Sequence, residues 1–212
     1  MAKLRTADFL AFIAEANALE QIRRGGFVIS GIPEGESVQA HSHGVALTAL
    51  GLAELEGSPV DRAKLLLMAL LHDIAESRTG DIVLRYQHYF PIGALAAAEA
   101  AAGTEILAAM PASWQAAYVE SLALRTYEAR LVHAADKLQM MLKVCGYEDQ
   151  QRGSLEKFWK NPANFRDCGI AAARSAYAAL AKARGRKIPR TRNSPLKRPK
   201  ARKKAKNSRP GY

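Results

Sequence analysis

Apolar residues recur at helical spacing along most of the chain, and no stretch alternates apolar and polar positions between turns as a strand would. Residues 6–22 carry Phe9, Leu10, Ile13, Ala16 and Leu19 on one face, with Thr6 placed to cap the first turn. RRGGFVISGIPEGES, at 23–37, has glycines, a proline and no period, so it reads as a loop. Ser37 can cap a second helix whose inner face is marked by Val38, His41, Val45, Leu52 and Leu55. Ser58-Pro59-Val60-Asp61 supplies a cap, a proline and an acid where a helix start wants them. That helix holds seven consecutive apolar residues, Leu65 to Leu71, and a helix apolar all round is a buried helix. Residues 77–93, with Gly80, Pro91 and Gly93, read as a loop holding a short helix at most. Ala94 to Met110 is strongly helical in propensity, Pro111 stops it, and Ser113 can cap a short helix through Leu124. Thr126 to about Gln151 is apolar on most sides between Leu131 and Cys145, which predicts a long central helix, and Asn164 to Ala183 gives the last. The expected fold class is all-α: one helical domain over residues 1–184 with no internal repeat.

Composition changes this picture at the C-terminus. Residues 185–212 are Lys, Arg, Pro, Ser and Asn with almost no apolar side chain, a composition that cannot form a core and predicts a disordered tail. The net charge of +11 belongs to that tail. From Cys168 onward there are 15 Lys or Arg and no Asp or Glu, so residues 1–167 hold 16 basic against 20 acidic residues. The domain is therefore mildly acidic, and the high isoelectric point does not make it a nucleic-acid-binding surface. The tail has the charge for RNA, DNA or an acidic membrane, but no aromatic before Tyr212 for base stacking. A solubilising extension is its plain reading, and weak nucleic-acid contact the alternative. No apolar run reaches the ~18–20 residues of a membrane span, and the N-terminus lacks a signal-peptide pattern. Cys145 and Cys168 form no CxxC pair and read as unpaired thiols of a cytoplasmic protein.

The candidate chemistry sits where the apolar pattern breaks. The buried helix ends in His72-Asp73, and Glu76 follows on the face of His72. Thr79-Gly80-Asp81 then turns the chain and adds a carboxylate. His41 and Asp136 lie on the apolar faces of two other helices. A buried charge is normally paired or bound to a metal, and three apolar helices each place a His or Asp where a solvated residue is not expected. Two imidazoles and two carboxylates form a mixed N/O set suited to one divalent Mn, Co, Fe, Ni, Zn or Mg ion.

The order H…HD…D resembles the HD-domain metal-dependent phosphohydrolases, and the local wording resembles their small single-domain 5′-nucleotidase branch. The residues that carry this are LEQIRRGGF at 19–27, ESVQAHS at 36–42, HDIAESRTGD at 72–81 and ADKLQMMLK at 135–143. The resemblance implies an HD-domain helical bundle with His41, His72, Asp73 and Asp136 as metal ligands. It implies Glu76 and Asp81 as catalytic acids and Arg24 as a phosphate contact, a role that suits a bidentate guanidinium. His43 is a rival to His41, but ESVQAHS aligns on His41. The chain departs from the family at Phe27, where Trp is usual, at Glu20, where Lys is usual, and at His43-Gly44. His88 and His133 are expected to be accessory or exposed, with His133, three residues before Asp136, a weaker candidate to lie near the metal. The implied activity is phosphomonoester hydrolysis, with a (deoxy)nucleoside 5′-monophosphate as substrate. The alternatives are an HD phosphohydrolase of a nucleoside triphosphate or guanosine polyphosphate, or a nucleic-acid-binding protein acting through its tail. A triphosphate would want more cations around the pocket than Arg24 and Arg78. Members of this family are commonly dimers, so a homodimer is compatible with the sequence.

Overall fold

The computed structural model of the chain describes residues 4–189. They are helical, and among them the β-type pairing is an isolated bridge between Arg23 and Ser37. In chain order the helices are α1 (Thr6–Asn17), α2 (Gly25–Val28), α3 (Val38–Glu56), α4 (Arg62–Leu71), α5 (Glu76–Thr79), α6 (Ala94–Ile106), α7 (Ala112–Ala123), α8 (Tyr127–Asp149), α9 (Glu156–Lys160) and α10 (Ala171–Ala183). Short 3-10 turns lie at Ala18–Glu20, Leu84–Tyr89 and Pro162–Phe165.

Helices α3, α4 and α8 form the centre. Ala46, Ala49 and Ala53 of α3, Ala69 of α4, and Ala134 and Ala135 of α8 are all buried, and such small side chains let neighbouring backbones approach. Val45, Leu65, Met68, Leu131 and Met141 fill the space between them, each fully buried. Full burial of one such side chain is worth roughly 1.5–3 kcal/mol. α10 packs on α3 and α8, and α7 on α4 and α8. A second cluster, with Phe12, Leu19, Val38, Leu71, Ile74, Leu107 and Tyr118, fixes α1 and the end of α6 over the far end of α4.

The predicted Ser37 cap holds, its Oγ accepting from the Ala40 amide at 3.1 Å, and Thr126 Oγ1 caps α8 by accepting from the Ala129 amide at 3.4 Å. Others move. Asp61, not Ser58, caps α4 by accepting from the Lys64 amide, so Pro59 precedes the helix. Arg5, not Thr6, precedes α1, and α7 begins at Ala112 without a serine cap. α1 docks through Phe12 and Leu19, which leaves Phe9, Leu10 and Ile13 exposed by 43%, 59% and 38%. The apolar stripe is wider than the contact, and Phe12, edge-on to Trp114 at 5.4 Å, sets which side faces in. α4 is buried on one side only, since Leu70 faces solvent, and so does Leu55 at the end of α3.

The 23–37 loop contains the single turn α2, and 77–93 contains α5 and a 3-10 turn. The long helix expected at 94–110 ends at Ile106, with turns carrying the chain to Pro111. The last predicted helix splits, because buried Asn164 donates to the Phe158 carbonyl at 3.0 Å and Cys168 and Gly169 adopt left-handed backbone. α9 was not anticipated. No helix among the described residues is long and apolar enough to cross a membrane. Beyond α10, Arg184 pairs with Asp149, and Arg186 pairs with Glu148 at 3.3 Å while lying over the Trp159 ring. The rest of the expected tail, 190–212, lies outside the described residues.

Candidate active site

The C-terminal end of α4 aims inward because Leu71 and Ile74 are buried on either side of it. His72 caps the helix, and its Nδ1 donates to the Ala69 carbonyl at 2.8 Å. That bond fixes the tautomer and leaves the Nε2 lone pair bare. His72 Nε2 is buried without a hydrogen-bond partner, although Asp73 Oδ2 lies 3.1 Å away, out of line for a bond. From α3, fully buried His41 presents Nε2 to Asp136 Oδ1 of α8 at 3.2 Å and to Asp73 Oδ2 at 3.8 Å. Its other nitrogen, Nδ1, is 2.6 Å from Gln139 Oε1, an atom that can only accept.

Ligand atoms of His41, His72 and Asp73 all lie within 4.8 Å of one another, and Asp136 adjoins them through His41. Imidazole lone pairs and carboxylates crowded together repel unless a proton or a cation sits between them. The buried, unpartnered Nε2 of His72 and the N/O donor set therefore fit a divalent ion. Burial opposes charge on both His72 and Asp73, but their mutual attraction outweighs it, raising His72 and holding Asp73 well below the usual carboxylate range. Asp136 is likewise held low against burial, by Lys137 and then His41.

Arg24 stands across from this group. Its Nη1 donates to Asp73 Oδ2 at 3.2 Å and lies 3.8 Å from Glu76 Oε1, and its Nε is 3.5 Å from Asp81 Oδ2. Two glycines make the approach possible. A Cβ on Gly25 would stand 2.8 Å from the Asp81 carbonyl oxygen, and the Gly25 amide donates to Asp81 Oδ2 at 2.9 Å. Gly80 closes the turn before Asp81 at φ +70°, a conformation that favours glycine. The RRGG and TGD motifs are thus two sides of one backbone contact. Glu76, on α5, keeps Oε2 buried without a partner. Burial, then the Asp73 charge, push its carboxyl up to about 10 against the pull of Arg24.

These groups open on a cavity of about 630 Å³ lined by Arg24, Asp73, Glu76, Asp81 and Asp136. Reasoning from sequence missed much of its wall: Arg85, Glu99, Lys137, Lys157, Phe158 and Arg166 also line it. His133 lines it too, with Nε2 buried and unpartnered, so it is no surface residue. Its signal was its place one turn before Asp136. Arg78 points elsewhere, pairing with Glu15 and Glu105. Arg85, Lys157 and Arg166 have no ion-pair partner among the described residues. Phe27 is in the core, stacked on Phe158 at 5.3 Å. His43 is exposed and lines a separate hollow beside Lys143, so His41 is the histidine of ESVQAHS that faces the cluster. His88 lies on the surface against Tyr89.

A family profile described as HD domain matches residues 16–172. The chain belongs to the HD-domain family. The 5′-deoxynucleotidase HDDC2 of Dictyostelium discoideum is 28% identical over 155 residues, 68% of this HD protein and 80% of that one. The 5′-deoxynucleotidase YBR242W of Saccharomyces cerevisiae is 30% identical over 154 residues, covering 68% of this chain and 62% of its own length. Among solved structures, a conserved hypothetical protein from Pyrococcus furiosus superposes with a TM-score of 0.69 at 28% identity, over 83% of this chain and 99% of that one. A predicted metal-dependent phosphohydrolase from Magnetospirillum magnetotacticum shares the fold, with a TM-score of 0.65 at 23% identity over 86% and 97%. The helical HD-domain bundle expected from the sequence is therefore the fold of this protein.

Proposed function

We propose that this HD-domain protein is a metal-dependent phosphomonoesterase of the 5′-nucleotidase kind, acting on (deoxy)nucleoside 5′-monophosphates. The observation that carries the reading is the convergence of four distant segments on one cluster, Arg24, His41, His72-Asp73 with Glu76, and Asp136, of which Arg24, Asp73, Glu76 and Asp136 line the cavity. The relatives named 5′-deoxynucleotidases support the substrate class.

His41, His72, Asp73 and Asp136 are the residues that would hold one divalent ion. Such an ion, when bound, lowers the pKa of water and polarises a phosphoryl oxygen. The protein's own groups do the rest. Arg24, cationic between three carboxylates, faces the charge that develops on the non-bridging oxygens. Glu76 retains its proton at neutral pH and can deliver it to the leaving 5′-oxygen as the phosphorus–oxygen bond breaks. Asp81, anchored on the Gly25 amide, holds the Arg24 turn and faces the same cavity. A second reading, a nucleotide bearing further phosphates, is favoured by Arg85, Lys137, Lys157 and Arg166 on the cavity wall.

Phosphate release from a panel of nucleoside mono-, di- and triphosphates, with each divalent metal in turn, tests this. Monophosphates are expected to be the best substrates and chelation to abolish turnover. Faster release of di- or triphosphate from the larger nucleotides favours the second reading, and no turnover of any nucleotide contradicts both.

A further inference from the structure

In the Glu36–Gln139–His41 chain, Glu36 and Gln139 sit behind His41, and neither lines the cavity that Arg24, Asp73 and Asp136 share. Glu36 and Gln139 are buried, at 7% and 8% exposure. Gln139 Nε2 donates to Glu36 Oε1 at 2.8 Å, and Gln139 Oε1 faces His41 Nδ1 at 2.6 Å. Lys143 Nζ lies 3.4 Å from Glu36 Oε1, and the Glu36 amide donates to the Tyr147 hydroxyl at 2.7 Å. The Glu36 carbonyl accepts from the Arg24 amide at 2.9 Å, which ties the same residue to the arginine turn.

The direction of this chain follows from its chemistry. A carboxylate only accepts, so Gln139 must turn its NH2 to Glu36 and its carbonyl oxygen to the imidazole. A carbonyl oxygen only accepts, so His41 must carry a proton on Nδ1, which makes Nε2, 3.2 Å from Asp136 Oδ1 and 3.8 Å from Asp73 Oδ2, the nitrogen free to bind a cation shared with those carboxylates. The second carboxylate oxygen of Glu36, buried and unbonded 3.7 Å from Nδ1, favours a proton there too. The space for Gln139 comes from Gly44: a Cβ there would lie 2.7 Å from its Nε2.

We infer that Gln139 is a positioning residue which, oriented by Glu36, locks His41 in the Nδ1–H tautomer and so prepares Nε2 to bind the divalent ion. The inference rests on His41 being a ligand. It adds two residues that act through His41, and it accounts for a glutamine inside the apolar stretch of α8 and for the glycine at 44.

The test uses the full chain labelled with 15N-histidine and stripped of metal, at a pH where the imidazole is neutral. Long-range 1H–15N spectra of the wild type should show His41 protonated at Nδ1. Gln139→Met keeps the volume and removes the acceptor. It should yield a mixed tautomer and weaken Mn²⁺ or Zn²⁺ binding, read by calorimetry, by about 10–100-fold. Glu36→Gln combined with Gln139→Glu exchanges donor and acceptor, avoids two facing carboxylates, keeps an acceptor for Nδ1–H, and should restore both the tautomer and most of the affinity, which a merely space-filling role would not require. A wild-type His41 protonated at Nε2, or Gln139→Met binding metal as the wild type does, overturns the inference. The tautomer is read without metal, so its failure is distinct from failure of the ligand assignment. That failure would appear as unchanged metal binding in His41→Ala.

Discussion

Glu76 is the residue whose surroundings are most at odds with an ordinary carboxylate. It is nearly buried, one oxygen has no partner, and Asp73 stands close enough to discourage a second negative charge. Its carboxyl is pushed from 4.5 to about 10, so the folded chain holds a proton that the unfolded chain releases. By linkage, that stabilisation is complete below the unfolded value and is lost progressively as pH rises toward the folded one. Glu76→Gln should therefore flatten the decline in stability of the metal-free protein between about pH 5 and 10, as urea titrations at several pH values would show. The same substitution should lower turnover by ~10²-fold or more while metal content stays near wild type. If Glu76→Gln keeps wild-type turnover, the proton-donor role passes to Asp81 or Glu99. Arg24 belongs to the same argument. Sequence motifs suggest a phosphate contact, but the guanidinium also holds Asp73, Glu76 and Asp81 together.

At the scale of elements, α3, α4 and α8 were readable because an apolar run broken by one His or Asp is rare without a reason. His41, His72, Asp73 and Asp136 all lie on those three helices or at their ends. The irregular wall was less legible. Arg85, Lys157 and Arg166 sit in or beside short turns with no periodicity, and which way they face depends on the packing of α9, which no local pattern announced. Phe9, Leu10 and Ile13 misled because helical spacing marks a stripe but not the width of the surface that covers it. The contact of α2 with the turn after α5 gives a test at this scale. Gly25→Ala would force a methyl to 2.8 Å from the Asp81 carbonyl oxygen, backbone that cannot swing aside. The expected cost is about 1–3 kcal/mol of stability, with KM raised more than metal is lost, measured by denaturation and steady-state kinetics. Wild-type stability and KM would show that the two turns are not rigidly joined.

For the molecule as a whole, charge and function separate along the chain. The net charge of +11 comes almost wholly from residues 190–212, which hold 10 Lys or Arg and no acid, whereas the site itself gathers Asp73, Glu76 and Asp81 around Arg24. Arg184 and Arg186 fasten the end of the domain to Glu148 and Asp149, so a truncation should spare them. Removing 190–212 is expected to leave the melting temperature and nucleotide turnover unchanged, because that sequence holds almost no apolar side chain. Any nucleic-acid affinity should vanish with it and fall steeply with salt beforehand. A large drop in turnover would make the tail part of the site.

The account stands or falls on four side chains from three helices sharing one ion. Metal content of purified wild type, His41→Ala, His72→Ala, Asp73→Ala and Asp136→Ala, determined by mass spectrometry beside turnover on a deoxynucleoside monophosphate, tests this most directly. The expected result is about one divalent ion per wild-type chain, with metal and activity lost together in each variant. Retention of both in His41→Ala or Asp136→Ala, the two residues brought to the site from distant segments, would contradict it.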